Sequence, residues 1–178
     1  MLGARRAVRK SPTRPVDTLP PRRRADLPVA PLAHRVRPEN VFIGDAWWDQ
    51  GRHLATTHQV HAGHPLDGRD AEQLIEAARQ FATLAGHSAY GRPCHFTYIL
   101  RALEADIPVG FPEGEVLLEL LPMPSRRSRF DLRVRVFRTS AQGAVEEVGA
   151  VFFDAFIVSP CQYDGFRRRN SKQKGRRA

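Results

Sequence analysis

The chain has 178 residues and a net charge of +9, enough for one domain with a sizeable core and little room for two. Residues 1–36 carry nine Lys or Arg against two Asp, residues 167–178 carry seven and no acid, and residues 37–166 carry 12 basic and 17 acidic residues. Basicity at the ends alone argues against a nucleic-acid function, the lack of a long apolar run argues against a membrane span, and the distant pair Cys94 and Cys161 argues against a zinc site.

Both ends are poor in large apolar residues and are expected to be disordered: a basic Arg/Pro-rich tail over 1–36 and a basic tail over 167–178. The start has no apolar signal core, so a cytoplasmic location is expected. Order should begin near Arg37. Val41-Phe42-Ile43 reads as a short strand, Asp45 to Gly51 as a turn holding Trp47 and Trp48, and Leu54 to Val60 as a second strand. His61 to Arg69 is a loop that contains His64-Pro65. His58, His61 and His64 recur every third residue, which would suit a metal only on a helix, so no metal is expected here.

An amphipathic helix begins at Asp70, which is placed to cap it, with Gln73 three residues on as in a capping box. Leu74, Ile75, Ala78, Phe81, Ala82, Ala85 and Ala89 recur at helical spacing and should form the buried face. Glu72, Gln73, Glu76, Arg79, Gln80, Thr83 and His87 share the opposite side. The breakers Gly91 and Pro93 end the helix.

Four β-type segments follow, at about 95–107, 115–121, 129–137 and 145–159. Phe130, Leu132, Val134 and Val136 alternate with Arg129, Asp131, Arg133 and Arg135, so one sheet face is wet. Val148 to Val158 is apolar on both faces and reads as a central strand. Asp154 interrupts it and needs either an Arg on a neighbouring strand or a place in a groove. Arg126, Arg127 and Arg129 sit in a loop, where they would dock an acidic carrier protein or simply face water.

Two strands, one long helix and four strands predict an α+β hotdog over residues 37–166: a curled antiparallel sheet wrapped around one central helix. A single copy leaves an open groove along the helix, so a homodimer is expected.

The ordered motifs resemble the A-factor biosynthesis hotdog-domain family. They are His34-Arg35-Val36-Arg37-Pro38 followed by Val41-Phe42, then His64-Pro65, then Glu76, Arg79 and Gln80, then His87 to Pro93, and finally Ser159-Pro160 with Tyr163. The resemblance implies transfer of a β-ketoacyl group from an acyl-carrier-protein or coenzyme A thioester to a hydroxyl of dihydroxyacetone phosphate, in γ-butyrolactone signal synthesis. No metal or redox cofactor is implied. Typical members carry two hotdog repeats, whereas this chain has one. They often have His where this chain has Arg69.

On this reading Glu76 is the general base that takes the acceptor proton, and Arg79 holds a phosphate or the developing oxyanion. His64 is an acid/base or thioester-positioning candidate, Gln80 would orient Glu76 or a carbonyl, and the amides near Asp70 and Gln73 would polarise the thioester. From periodicity alone, Glu76 and Arg79 read as an exposed i,i+3 ion pair on a stripe that faces water, and it is the resemblance that favours the functional reading. Two rival functions use the same groove: a thioesterase or dehydratase, with His64 essential for dehydration, and a non-catalytic acyl- or carrier-binding module.

Overall fold

The computed structural model describes residues 29–49, 51–120, 129–140 and 143–174. A short helix α1 (Val29–Leu32) and a 3-10 turn (Pro38–Asn40) lead into strands β1 (Ile43–Asp49) and β2 (Arg52–Thr57). Helix α2 (Asp70–Ser88) follows, then β3 (Thr97–Asp106), β4 (Glu115–Leu120), β5 (Arg129–Thr139), β6 (Val145–Val158) and helix α3 (Pro160–Lys174). The strands form one antiparallel sheet in the order β1-β2-β4-β5-β6-β3. The sheet curls around α2, and this is the hotdog architecture.

Alternation explains the layering. Val116, Leu118 and Leu120 of β4, Leu132, Val134 and Val136 of β5, and Val151, Phe153 and Ile157 of β6 point inward to Leu74, Ala78, Phe81 and Ala85 of α2. Ala77 and Leu84 join that core, while Ala89, expected on the buried face, is exposed just past the helix. The opposite sheet face has its own cluster of Trp47, Leu54, Leu117 and Phe137. There Glu119, fully buried, accepts from Arg135 at 2.7 Å and Arg52 at 3.4 Å, and Arg135 also donates to Glu147 at 2.6 Å.

Several expectations need correction. Trp47 and Trp48 lie inside β1, and the chain turns instead at Gly51, whose φ of 79° favours glycine. Order does not wait for Arg37, because Ala33 is wholly buried in the core beneath α1. The basic C-terminal segment is helical as far as Lys174. Its start is well marked: the Ser159 N–H donates to Gln162 Oε1 at 2.8 Å, the Gln162 N–H donates back to Ser159 Oγ at 3.4 Å, and Pro160 takes the first helical position.

The open choice for Asp154 is resolved in favour of a neighbouring strand, since Arg101 of β3 meets it at 3.2 Å. Arg126 and Arg127, the side chain of Arg129 and most of the N-terminal tail lie outside the described residues. Among the described residues no helix is long and apolar enough to cross a membrane.

Candidate functional site

Apart from Glu72, which is exposed, the polar side of α2 is largely covered. Gln73, Gln80, Thr83 and His87 are each under a tenth exposed. Buried polar groups need partners, and the segment from His34 to Phe42 supplies partners for Gln80 and His87 from outside the helix. Gln80 donates to the Asn40 carbonyl at 2.8 Å and accepts from the Phe42 N–H at 2.9 Å. Arg35 donates to Glu76, and His87 meets His34 at 2.8 Å. Thr83 satisfies its own hydroxyl on the Arg79 carbonyl, one turn back.

Glu76 is the centre of this stripe. Arg79 grips it with a fork, Nε to Oε2 at 2.8 Å and a terminal nitrogen to Oε1 at 2.9 Å. Gln80 donates to Oε1 at 2.8 Å, and Arg35 adds a second guanidinium to the same oxygen. Burial lowers the pKa of both arginines, and Arg79 lowers that of Arg35 further. Positive charge is therefore crowded here, held by one carboxylate.

The carboxylate borders an open cavity of about 460 Å³ lined by Arg35, Asn40, Phe42, His64, Ile75 and Glu76, among others. Glu76 and His64 thus face one space, as the helix-and-loop pattern anticipates. His64 is buried, and its Nδ1 accepts the Leu66 N–H at 3.0 Å. A backbone amide can only donate, so the proton of the neutral ring sits on Nε2, which meets Asn40 Oδ1 at 3.1 Å. Arg79 also lines a narrow apolar slot of about 70 Å³, with Ala82, Tyr98, Leu100, Leu132 and Phe153. The Glu76–Arg79 pair therefore stands between a wide, largely apolar cavity edged by charged and amide groups, which Glu76 borders, and a narrow apolar slot, which Arg79 borders.

Asp70 and Gln73 are placed differently. Arg69 is the helix N-cap and makes no side-chain cap bond, so the expected capping box is absent. Asp70 accepts from the Phe111 N–H at 3.0 Å and from Gln59 at 3.3 Å. Gln73 accepts from the Val60 N–H at 3.0 Å and donates to the Leu66 carbonyl at 2.8 Å. Both pin loops around the site, and neither lines the cavity. Sequence reasoning missed Arg35 and Asn40, because Arg35 lies in a stretch whose charge reads as tail. The signal was present: Arg35 follows the first His of the opening motif.

A family profile described as the A-factor biosynthesis hotdog domain matches residues 21–154. The chain belongs to this family. No curated protein matches the chain. Among solved structures, the dehydratase domain from the CurJ module of curacin polyketide synthase aligns with a TM-score of 0.56 at 10% identity, over 75% of this chain and 50% of that one. The dehydratase heterocomplex ApeI:P from Xenorhabdus doucetiae gives 0.49 at 12% identity, over 80% and 98%. A Streptococcus mutans protein bound to acetyl-CoA gives 0.48 at 18% identity, over 71% and 95%. The first of these likenesses speaks to the fold alone.

Proposed function

We propose that this family member is an acyltransferase that moves a β-ketoacyl group from a thioester, on a carrier protein or coenzyme A, to a hydroxyl of a phosphorylated acceptor such as dihydroxyacetone phosphate. The observation that carries this reading is the Glu76–Arg79 pair, reinforced by Arg35, between an open cavity edged by Arg35, Asn40 and His64 and a narrow apolar slot. The slot suits a short stretch of acyl chain, and Arg35 and Asn40 at the cavity's edge suit the phosphate and hydroxyl of the acceptor.

In the reaction, an acceptor phosphate draws Arg35 and Arg79 away from Glu76, and the freed carboxylate takes the acceptor hydroxyl proton. The acceptor oxygen attacks the thioester carbonyl. The resulting oxyanion is held by a guanidinium or by the His64 Nε2–H. Collapse breaks the carbon–sulfur bond, and the sulfur leaves with the proton that Glu76 took. The product is an ester and a free thiol.

Dehydration is less well supported, because it asks His64 to take a proton. Its Nδ1 is already engaged by the Leu66 amide, and its Nε2 carries hydrogen. The edge strand β3, with Leu100 49% and Leu103 37% exposed, suits pairing with a second copy, and a cytoplasmic homodimer completes this reading.

The test is purified protein with a β-ketoacyl thioester, with and without dihydroxyacetone phosphate, followed by mass spectrometry beside Glu76→Gln and Arg79→Ala. Acceptor-dependent ester that falls about a hundredfold in the variants is the expected result. Loss of thioester without acceptor would replace transfer by hydrolysis or dehydration, and retention of acyl ligand without turnover would make this a binding module.

A further inference from the structure

His34 and Arg35 are neighbours in the chain, yet they meet α2 at Glu76 and His87, eleven residues apart. That is three helical turns, or about 16 Å along the axis. The two side chains fork in opposite directions along one helix face. His34 makes the fork possible: it is the one non-glycine residue with positive φ (56°) among the described residues. A Cβ is disfavoured in that conformation, so the surroundings must hold it there.

The bonds that hold it are specific. His87 meets the Arg92 carbonyl through Nδ1 at 2.8 Å, a bond that requires a proton on that nitrogen. Its Nε2 is then bare in the neutral ring and accepts the His34 Nε2–H at 2.8 Å. The same His34 nitrogen lies 3.0 Å from the Cys94 carbonyl. The two rings sit 4.8 Å apart between centroids, and both meet the edge of Tyr98. Neither imidazole lines the cavity that holds Glu76.

Arg79 and Gln80 lie on the same helix as Glu76. Among the described residues, Arg35 is the hydrogen-bond partner of that carboxylate that arrives from another element. We propose that His34, latched to His87, is a positioning residue for the Arg35–Glu76 pair: it fixes the left-handed bend that aims Arg35 at the carboxylate. Its effect on turnover presupposes transfer at Glu76, and its effect on the pair does not.

The experiment reads both, on the full chain. Guanidinium ¹⁵N signals of Arg35 are recorded in wild type, in Glu76→Gln as the unpaired reference, and in His34→Asn, His87→Leu and His87→Gln. Asparagine tolerates positive φ but lacks the reach of imidazole, and a glutamine carbonyl at 87 keeps an acceptor. His34→Asn and His87→Leu are expected to move the Arg35 signal towards the Glu76→Gln position and to lower kcat about tenfold at near-constant KM for the thioester. His87→Gln should hold the wild-type signal and stay within twofold in kcat. If His34→Asn does not fold, the His87 pair of variants gives the same readouts. Folded His34→Asn and His87→Leu proteins with an unmoved Arg35 signal would overturn the inference. A moved signal in a protein whose wild type transfers nothing would uphold the positioning and remove the acyl-transfer reading.

Discussion

A Cβ on Gly86 would collide with the hydroxyl and ring of Tyr98. Glycine inside a helix costs about 1 kcal/mol relative to alanine, and α2 carries it there because the phenol packs onto bare backbone. Burial raises the Tyr98 hydroxyl above the ordinary tyrosine range, so the group is neutral where it meets the helix. Tyr98 also lines the apolar slot beside Arg79.

Gly86→Ala should therefore lower stability despite its better helix propensity. The clash is expected to exceed the propensity gain and leave a net loss of about 1–2 kcal/mol. A double-mutant cycle with Tyr98→Ala, read by chemical denaturation, should show the Gly86→Ala penalty vanishing or changing sign. A penalty of equal size in both backgrounds would remove Tyr98 as its cause.

Gln73 and Gln80 should separate in their effects. Each spans two backbone partners from a buried position, so leucine at either site strands amides and carbonyls at about 1–3 kcal/mol. Gln80 alone also touches Glu76. Gln73→Leu should lower the melting temperature without changing KM for the thioester or the acceptor, whereas Gln80→Leu should lower both stability and kcat. A KM change in folded Gln73→Leu would restore Gln73 as a binding residue.

The sheet, the central helix and the polar stripe on it were legible because each follows a period: two for Leu132, Val134 and Val136, and 3.6 for Glu76, Gln80, Thr83 and His87. What period does not encode is the partner. Arg35 reaches Glu76 over a separation of 41 residues, and nothing local distinguishes it from the basic residues around it. Capping misled in one place and was overlooked in another. Asp70 and Gln73 have the spacing of a capping box but turn to the loops at Phe111 and Val60, while Ser159 and Gln162, with Pro160 between them, form the real one. Tertiary partners claimed the first pair, while the two residues of the second bond each other's backbone amides.

Glu119→Ala should be among the most damaging single changes on the outer sheet face. It removes the partner of Arg135, a mostly buried guanidinium, and of Arg52. Breaking such a pair from one side costs about 3–5 kcal/mol. Glu147 still reaches Arg135, so the lower end is expected. Glu119→Met with Arg135→Met should recover most of the loss in urea melts. A double variant as unstable as Glu119→Ala would mean that packing, not stranded charge, sets the cost.

Stability should fall on mild acidification. Burial drops the His53 pKa to about 4, and burial with His87 beside it lowers that of His34. Both groups bind protons more readily unfolded, where histidine titrates near 6.5. Their contribution is therefore complete above about pH 6.5 and is lost as pH falls towards 4. Melting temperatures across pH 7.5 to 4.5 should decline in wild type and decline less in His53→Phe. An equal decline in both would remove His53 from the linkage.

The strap from His34 to Phe42 also sets where this domain can be cut. A chain shortened to begin at Arg37, the border that composition suggests, would retain Asn40 and Phe42 and with them both backbone partners of Gln80. It would lose Ala33 from the core and Arg35 from the carboxylate. Such a truncation would keep the framework of the groove while rewriting the electrostatics at its centre, so the border drawn for solubility and the border required for chemistry are not the same residue.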